Sequence, residues 1–435
     1  MAETILIKNG RVIDPANNLD TISDILIEGG KIAKIGKNIT AEASQYIDAS
    51  NKIVLPGIVD MHVHLREPGR EDKETIDSGS RAALKGGVTS VLAMPNTEPA
   101  IDSIQSIGIL KEIIKRSAKI DVFISAAITL GRQGNQLVDM KALKDSGAIA
   151  ITDDGASVED EAIMYETLKM AKKEGLLVIA HCEDRELSAG GMVNAGFTAT
   201  RMGLRGISKE SEYLRVKRDI AIAEKANARL HIAHISCAES VEIIAKAKKR
   251  GAQVTCETAP HYFSLTEEAV LGYDTNMKMN PPLRGSSDRL AIVQGLSDGV
   301  IDAIASDHAP HTDNEKEIEF ERAEFGVIGL ETILAVSITE LLVKGALDWS
   351  GLAEKLALNP ARILGIDKGT LGIGRSADIT IVLPQEEWLV EKKGFVSQSK
   401  NSPYIGKRLK GKVAYTIYSG MIAYSGISKN QAQEH

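Results

Sequence analysis

A chain of 435 residues, 43% hydrophobic and 26% charged, can bury a large core and is expected to hold one big domain plus a smaller one. Its 52 Lys and Arg against 59 Asp and Glu leave a net charge of −7, which offers no basic field to nucleic acid or to an anionic membrane surface. The first residues, Met1 to Lys8, lack a charged-then-apolar leader pattern, no apolar run nears the ~20 residues needed to span a bilayer, and a cytoplasmic placement is expected. Cys182, Cys237 and Cys256 fit neither a disulfide framework nor a zinc knuckle and are expected to be reduced, partly buried thiols.

In chain order, the first ~55 residues read as short β segments broken by turns at Asn9-Gly10 and Gly29-Gly30. From Pro56 the pattern becomes strand, polar loop, helix, repeated. Strand candidates cover 58–64, 88–93, 121–128, 148–152, 176–181, 230–235, 253–257 and 303–306, eight in all. Helix-type stretches such as 78–85, 104–119, 159–173, 211–227 and 240–250 lie between most of them. After Ile366 the chain returns to β character at 369–383 and 413–418, so its two ends are expected to pair into one small β domain. The fold class expected is α/β, with residues 1–55 and 367–435 forming the two parts of that domain around a barrel at 56–366. Residues 428–435 form a polar tail, expected to be disordered.

The chemistry gathers at strand ends. On a strand, side chains at i and i+2 point the same way and lie roughly 6–7 Å apart, so His62 and His64 present two imidazoles to one point, a metal-ligand arrangement. His181, His234, Asp307 and the pair Asp153-Asp154 each lie at or near the end of another short apolar run. In a parallel α/β barrel the carboxyl ends of all strands meet on one face, and catalytic groups come from several of them.

The run Asp60-Met61-His62-Val63-His64-Leu65-Arg66-Glu67-Pro68-Gly69 and the run Ala305-Ser306-Asp307-His308-Ala309-Pro310-His311, followed by Lys316, resemble the two signatures of dihydroorotases. The resemblance extends over nearly the whole chain, through Met94-Pro95-Asn96-Thr97, Thr152-Asp153-Asp154-Gly155, His181-Cys182-Glu183 and Asn280-Pro281-Pro282-Leu283-Arg284 to the Phe325-Gly326 segment. It points to the long bacterial type within the amidohydrolase superfamily, and so to a (β/α)8 TIM barrel flanked by a β-sandwich from both termini. It implies two zinc ions per subunit sharing a bridging hydroxide, with His62, His64, His181, His234 and Asp307 as ligands. Many amidohydrolases bridge the metals with a carboxylated lysine. The fourth strand here ends without one, and by resemblance Asp154 takes that place. Strand parity agrees, since Asp154 follows Ala148, Ala150 and Thr152, whereas Asp153 shares a face with Ile149 and Ile151. The same parity separates His231 from His234: His234 is the expected ligand, and His231 is expected to be packed or partnered behind the barrel.

The activity implied is the reversible cyclisation of N-carbamoyl-L-aspartate to dihydroorotate in pyrimidine biosynthesis, with Asp307 as general acid and base. Arg66, two positions past His64, is placed to grip the substrate carboxylate; Asn96 and Asn280 can each donate and accept hydrogen bonds, as a ureide ring or a carboxylate demands. The resemblance also carries His64, His311 and the backbone at Phe325 and Gly326 to substrate binding. His261 is assigned no catalytic role, and the charged loop 315–324 is a candidate lid. Hydantoinases, dihydropyrimidinases and allantoinases, which take neutral rings, are the alternatives, disfavoured by Arg66, Asn96 and the missing lysine. An inactive scaffold that binds aspartate carbamoyltransferase is disfavoured because every metal histidine is present. A homodimer is implied by resemblance alone, and that transferase is a candidate partner.

Overall fold

The computed structural model describes residues 4–427. The tail at 428–435, for which disorder is expected, lies outside the described residues. Five strands open the chain: β1 (Thr4–Asp14), β2 (Leu19–Glu28), β3 (Lys31–Gly36), β4 (Gln45–Asp48) and β5 (Ile53–Pro56). Asn9-Gly10 does not end the first strand. It is a bulge, with the register against β2 shifting between Ile7 and Gly10 and Asn9 at φ 62°, so β1 bends and runs on to Asp14. Alternate residues of β1 bury both faces: Ile5 and Ile7 join one apolar cluster with Ile25, Ile27 and Ile379, while Leu6 turns to the other side with Leu26 and Ile39.

The barrel strands follow: β6 (Ile58–Val63), β7 (Val88–Ala93), β8 (Asp121–Ala126), β9 (Ala148–Ile151) and β10 (Leu177–Ala180). A two-strand parallel pair, β11 (Val193–Asn194) and β12 (Gly206–Ile207), sits in the next loop before β13 (Leu230–Ile232), β14 (Val254–Thr258) and β15 (Ala303–Ile304). All eight barrel strands are parallel neighbours in chain order from β6 to β15. The seam between β15 and β6 is closed by a parallel bridge between Val63 and His308, with His64 N donating to His308 O at 2.8 Å. The buried Asp60 carboxylate laces the same seam, accepting from Ser306 N at 3.0 Å.

Six strands are shorter at their carboxyl ends than the apolar runs suggest, five of them (β6, β9, β10, β13 and β15) because site residues leave the ladder there. His234 and Asp307 sit at φ 32° and 48°, which no strand accommodates. Valine, methionine and leucine from early strands pack inside the barrel against Ala150, Ala233, Ala303 and Ala305, and Ala361, Ile363 and Leu364 join that interior cluster. The helices Ile76–Lys85, Ile104–Ser117, Glu161–Glu174, Glu210–Ala226 and Ala238–Lys249 match the expected helical stretches within a few residues. Thr75 and Ser103 cap the first two with reciprocal side-chain hydrogen bonds.

Strands β16 (Ile379–Leu389), β17 (Arg408–Tyr418) and β18 (Met421–Ser425) return to the first sheet, where β16 pairs antiparallel with β5. The two ends of the chain thus build one sheet, as the sequence led us to expect. It docks on the barrel where Thr380 Oγ1 donates to Gly87 O at 2.6 Å. Gly87 has φ +84°, and a Cβ there would stand 2.5 Å from Thr380 Cγ2. Gly87→Ala is therefore expected to cost about 2–4 kcal/mol from backbone strain plus overpacking, seen as a lowered thermal midpoint. An unchanged midpoint would mean that Thr380 does not pin this junction.

Candidate active site and metal centre

Four imidazoles and two carboxylates from five strand ends meet at the carboxyl-terminal mouth of the barrel. His62 and His64 come from the end of β6, with ring centroids 5.3 Å apart; His234 lies 5.1 Å from His62 and 4.7 Å from His181 by the same measure. Asp154 stands at the centre. Its Oδ1 is 3.3 Å from His62 Nε2, 3.5 Å from His234 Nε2 and 3.7 Å from His181 Nδ1, and its Oδ2 is 3.5 Å from His64 Nε2. Asp307 Oδ1 faces the first pair, 3.3 Å from His64 Nε2 and 3.8 Å from His62 Nε2. Most of these separations are long for hydrogen bonds. They suit the vertices of a tetrahedron with bonds of about 2.0–2.1 Å, which stand about 3.3–3.4 Å apart.

The donors fall into two groups, His62 with His64 and Asp154, and Asp154 with His181 and His234, sharing one carboxylate. His62 Nε2 and Asp154 Oδ1 are buried and have no hydrogen-bond partner among the described residues. Buried polar atoms are nearly always partnered, so this nitrogen-and-oxygen set fits a pair of divalent cations such as zinc. Asp153 faces away, as strand parity requires, and accepts from Ile128 N at 2.8 Å and Thr129 N at 3.1 Å.

Residues behind the ligands orient them. His62 Nδ1 lies 2.8 Å from Glu257 Oε1, which leaves Nε2 to face the centre. Burial raises the Glu257 pKa, but hydrogen bonds from His231 and His62 outweigh it and hold the carboxyl down to about 2. His231 is thus not behind the barrel. Leu230 and Ile232 face the helices while Ala233 faces the interior, and His231 shares that interior side, its Nδ1 2.8 Å from Thr255 Oγ1. The parity argument fails at His234, whose left-handed backbone, past the end of β13, turns it back inward.

His64 Nδ1 lies 2.8 Å from Asn96 Oδ1, and burial lowers the ring's pKa, so the neutral ligand form is favoured. With Asn96 Oδ1 accepting, its amide NH2 has no partner among the described residues and is left for the cavity, a space of about 290 Å³ that Asn96 lines. The cavity wall includes His64, Arg66, Asn96, Asp154, His181, His234, Asn280, Asp307, His311, Phe325 and Gly326; His62 lies beneath it, fully buried. Arg66, at φ 63°, donates from Nε to Pro310 O at 3.1 Å; burial pushes its guanidinium down to about 10, which leaves it charged. His311 lies between two cationic donors, its Nδ1 3.1 Å from Lys73 Nζ and its Nε2 3.3 Å from Arg66 Nη2, so Arg66 and His311 stand side by side at the cavity wall. Asn280 Nδ2 donates to Glu183 Oε2 at 3.2 Å. His261 is buried in the short helix Pro260–Ser264, outside the cavity wall, where burial pushes it down to about 4. Cys182, Cys237 and Cys256 are buried free thiols.

Sequence reasoning missed Arg132, which lines the cavity at φ 57° and donates from Nη2 to the Asp154 carbonyl, and it missed Glu257 and Glu183. For Arg132 the one available signal is its place between Gly131 and Gly134 after a strand; for Glu257, its place at the end of a predicted strand. Of the six described residues at positive φ that are neither Gly nor Asn, four (Arg66, Arg132, His234 and Asp307) belong to this site. Such strain clusters where function over-determines the backbone.

A family model described as dihydro-orotase-like matches residues 51–240. The chain is 51% identical to a dihydroorotase of Elusimicrobium minutum over 95% of its length and 96% of the relative's. It is 50% identical to a dihydroorotase of Geotalea daltonii over 97% and 99% respectively. Among solved structures, an L-hydantoinase (dihydropyrimidinase) from Arthrobacter aurescens superposes with a TM-score of 0.88 at 26% identity, covering 97% of this chain and 96% of that one. A dihydropyrimidinase from Brevibacillus agri, with a TM-score of 0.84 at 24% identity over 96% and 94% of the two chains, shows the same fold.

Glu257→Ala would free the His62 ring to rotate and change tautomer. It is expected to weaken zinc retention about 10–100-fold, measured by competition with a chelator. Parental affinity would show that Glu257 does not hold His62 for the metal.

Proposed function

The chain belongs to the dihydroorotase family, and from that we propose how its own residues carry out the reversible closure of N-carbamoyl-L-aspartate to dihydroorotate. The observation that carries the reading is one cavity that joins a metal-competent centre to the adjacent side chains of Arg66 and His311. Arg66 has no carboxylate partner among the described residues, so its charge is available to the substrate. Hydantoin and dihydropyrimidine rings carry no such carboxylate, which separates this chemistry from that of the structural neighbours.

His62, His64, Asp154, His181, His234 and Asp307 are the residues that would hold two zinc ions, with Asp154 common to both. When bound, the metals polarise the reacting carbonyl and acidify the attacking water. Arg66 and His311 hold the substrate carboxylate, and the Asn96 amide donates beside them. Asn280 and the backbone of Phe325 and Gly326 bound the ring on the other flank. Of the two carboxylates in the metal centre Asp307 is the more open, its side chain 10% exposed against 3% for Asp154. In ring opening it takes a proton from the attacking water and passes it to the departing ring nitrogen; in closure it takes that proton from the ureido nitrogen and delivers it to the departing oxygen. Closure turns a dianion into a monoanion and consumes one proton, so acid favours the ring.

No helix among the described residues is long and apolar enough to cross a membrane. Cytoplasmic placement, a homodimer and an aspartate carbamoyltransferase partner are part of the proposal, and sedimentation with and without the transferase tests the last two.

The direct test follows absorbance of the zinc-loaded protein with dihydroorotate and, for comparison, dihydrouracil. Turnover of dihydroorotate alone is expected; turnover of dihydrouracil alone would move the chain to the dihydropyrimidinase branch. Asp307→Asn is expected to keep at least one zinc and lose about 10²–10⁴-fold in kcat. Near-parental turnover would remove the shuttle role. Arg66→Ala is expected to raise KM for dihydroorotate about 10–100-fold at parental zinc content, the worth of a hydrogen bond to a charged group. An unchanged KM would take Arg66 out of the carboxylate site.

A further inference from the structure

One residue of the second signature motif, Lys316, has no part in the chemistry above, and the structure gives it an unusual setting. Lys316 and Lys278 are 3% and 2% exposed, and neither has a carboxylate partner among the described residues. Every hydrogen bond of either ammonium among the described residues is to a backbone carbonyl. Lys278 Nζ donates to Phe320 O at 2.8 Å, Glu321 O at 3.1 Å and Ala323 O at 2.6 Å, which uses all three of its N–H groups. Lys316 Nζ donates to Glu324 O at 2.8 Å and Gly326 O at 3.1 Å, with Lys278 O at 3.5 Å. Five carbonyls within residues 320–326 are thereby turned toward two buried charges.

Burying two like charges side by side is costly. Burial, followed by the charge of Lys278, pushes the Lys316 ammonium down to about 7. A mere loop anchor could be made from apolar side chains. What the ammoniums do, and apolar groups cannot, is set the direction of peptide dipoles. The Glu324 and Gly326 carbonyls flank Phe325 on both sides and both point at Lys316. In a planar trans peptide the N–H points opposite to the carbonyl, so the Phe325 N–H, which has no protein partner among the described residues, is directed away from Lys316. Phe325 lines the cavity. Gly326, at φ +129°, sits so close to the carboxylate site that a Cβ there would stand 3.1 Å from His311 Nε2. Gly326 N donates to Lys278 O at 3.0 Å, which ties the two lysine segments together, and the Lys278 ammonium lies 4.6 Å from the centre of the Phe325 ring.

We propose that Lys316 and Lys278 are positioning residues, a pair of ammonium clasps that fix residues 320–326 so that the Phe325 N–H is presented to the ring or carboxylate of the substrate. This rests on the reading of the cavity as a dihydroorotate site. The clasps act on binding, not on the metals, so the two roles separate in kinetics.

The test uses the zinc-loaded full chain with Lys316→Met and Lys278→Met, reading zinc content, KM and kcat for dihydroorotate, and hydrogen exchange across residues 317–327. KM is expected to rise about tenfold, the worth of one hydrogen bond, with zinc content parental, kcat changed much less and exchange in the segment faster. If Lys316→Met does not fold, Lys316→Gln keeps two N–H donors without the charge, and a smaller rise in KM of about threefold is expected. A folded variant with parental KM overturns the proposal, whatever its exchange. So does loss of zinc in step with kcat, which would place the lysines in support of the metal centre. The exchange readout needs no substrate: if the parent fails to turn over dihydroorotate, the activity reading falls, and parental exchange in the variants then overturns the clasp separately.

Discussion

Asp154 is the group on which the rest of the site depends. It is a buried carboxylate with four imidazoles within 3.3–3.7 Å, and one of its oxygens has no hydrogen-bond partner among the described residues. Such a charge is tolerable inside a protein only when opposite charge surrounds it. Here burial raises its pKa, but the charge of His62 and the close approach of the His234 and His62 rings outweigh it, so the carboxylate is held well below its ordinary range. A cluster of this kind is not stable on a floppy frame, and the closed barrel supplies the frame. Eight parallel strands bring five donor-bearing ends to one mouth, and the seam is sealed by Asp60 and the His64–His308 backbone bond directly under the ligands.

Around that centre the protein settles orientation by partners that are not themselves ligands. Glu257 determines which nitrogen of His62 faces the centre, and Asn96 does so for His64. Asn96 thereby links the metal side to the substrate side of the cavity, since the same amide that accepts from His64 offers its NH2 to the cavity. On the opposite wall His311 is held between Lys73 and Arg66. Positive φ at Arg66, His234 and Asp307 re-aims side chains that an unbroken strand would have sent elsewhere. The left-handed backbone at these three residues is a cost that the packed barrel beneath them bears.

The eight strands were legible because each is a short apolar run bounded by turn residues, and the helices between them because their apolar residues recur on one face. The helix Ser286–Ser297 was less legible, as its apolar residues do not gather on one side. Asn9-Gly10 read as a turn because both residues favour positive φ, and Asn9 does adopt it, but the pairing with β2 resumes at once and makes it a bulge. His231 was misplaced for a related reason. Parity counting assumes an unbroken strand, and the chain turns at His234, so two histidines three apart both point inward.

By itself the sequence determined the architecture, the metal-competent residue types at strand ends, and the pairing of those groups with an arginine suited to a carboxylate. These are local properties: periodicity, residue type and short spacing are all contained in a few consecutive positions. Tertiary structure alone decided which nitrogen of each histidine faces the centre, that Glu257 lies behind His62 across 195 residues of chain, that Arg132 reaches the Asp154 carbonyl, and that Lys278 and Lys316 grip one segment. Those contacts join residues far apart in the chain, and their geometry depends on how the barrel closes, which no local pattern encodes.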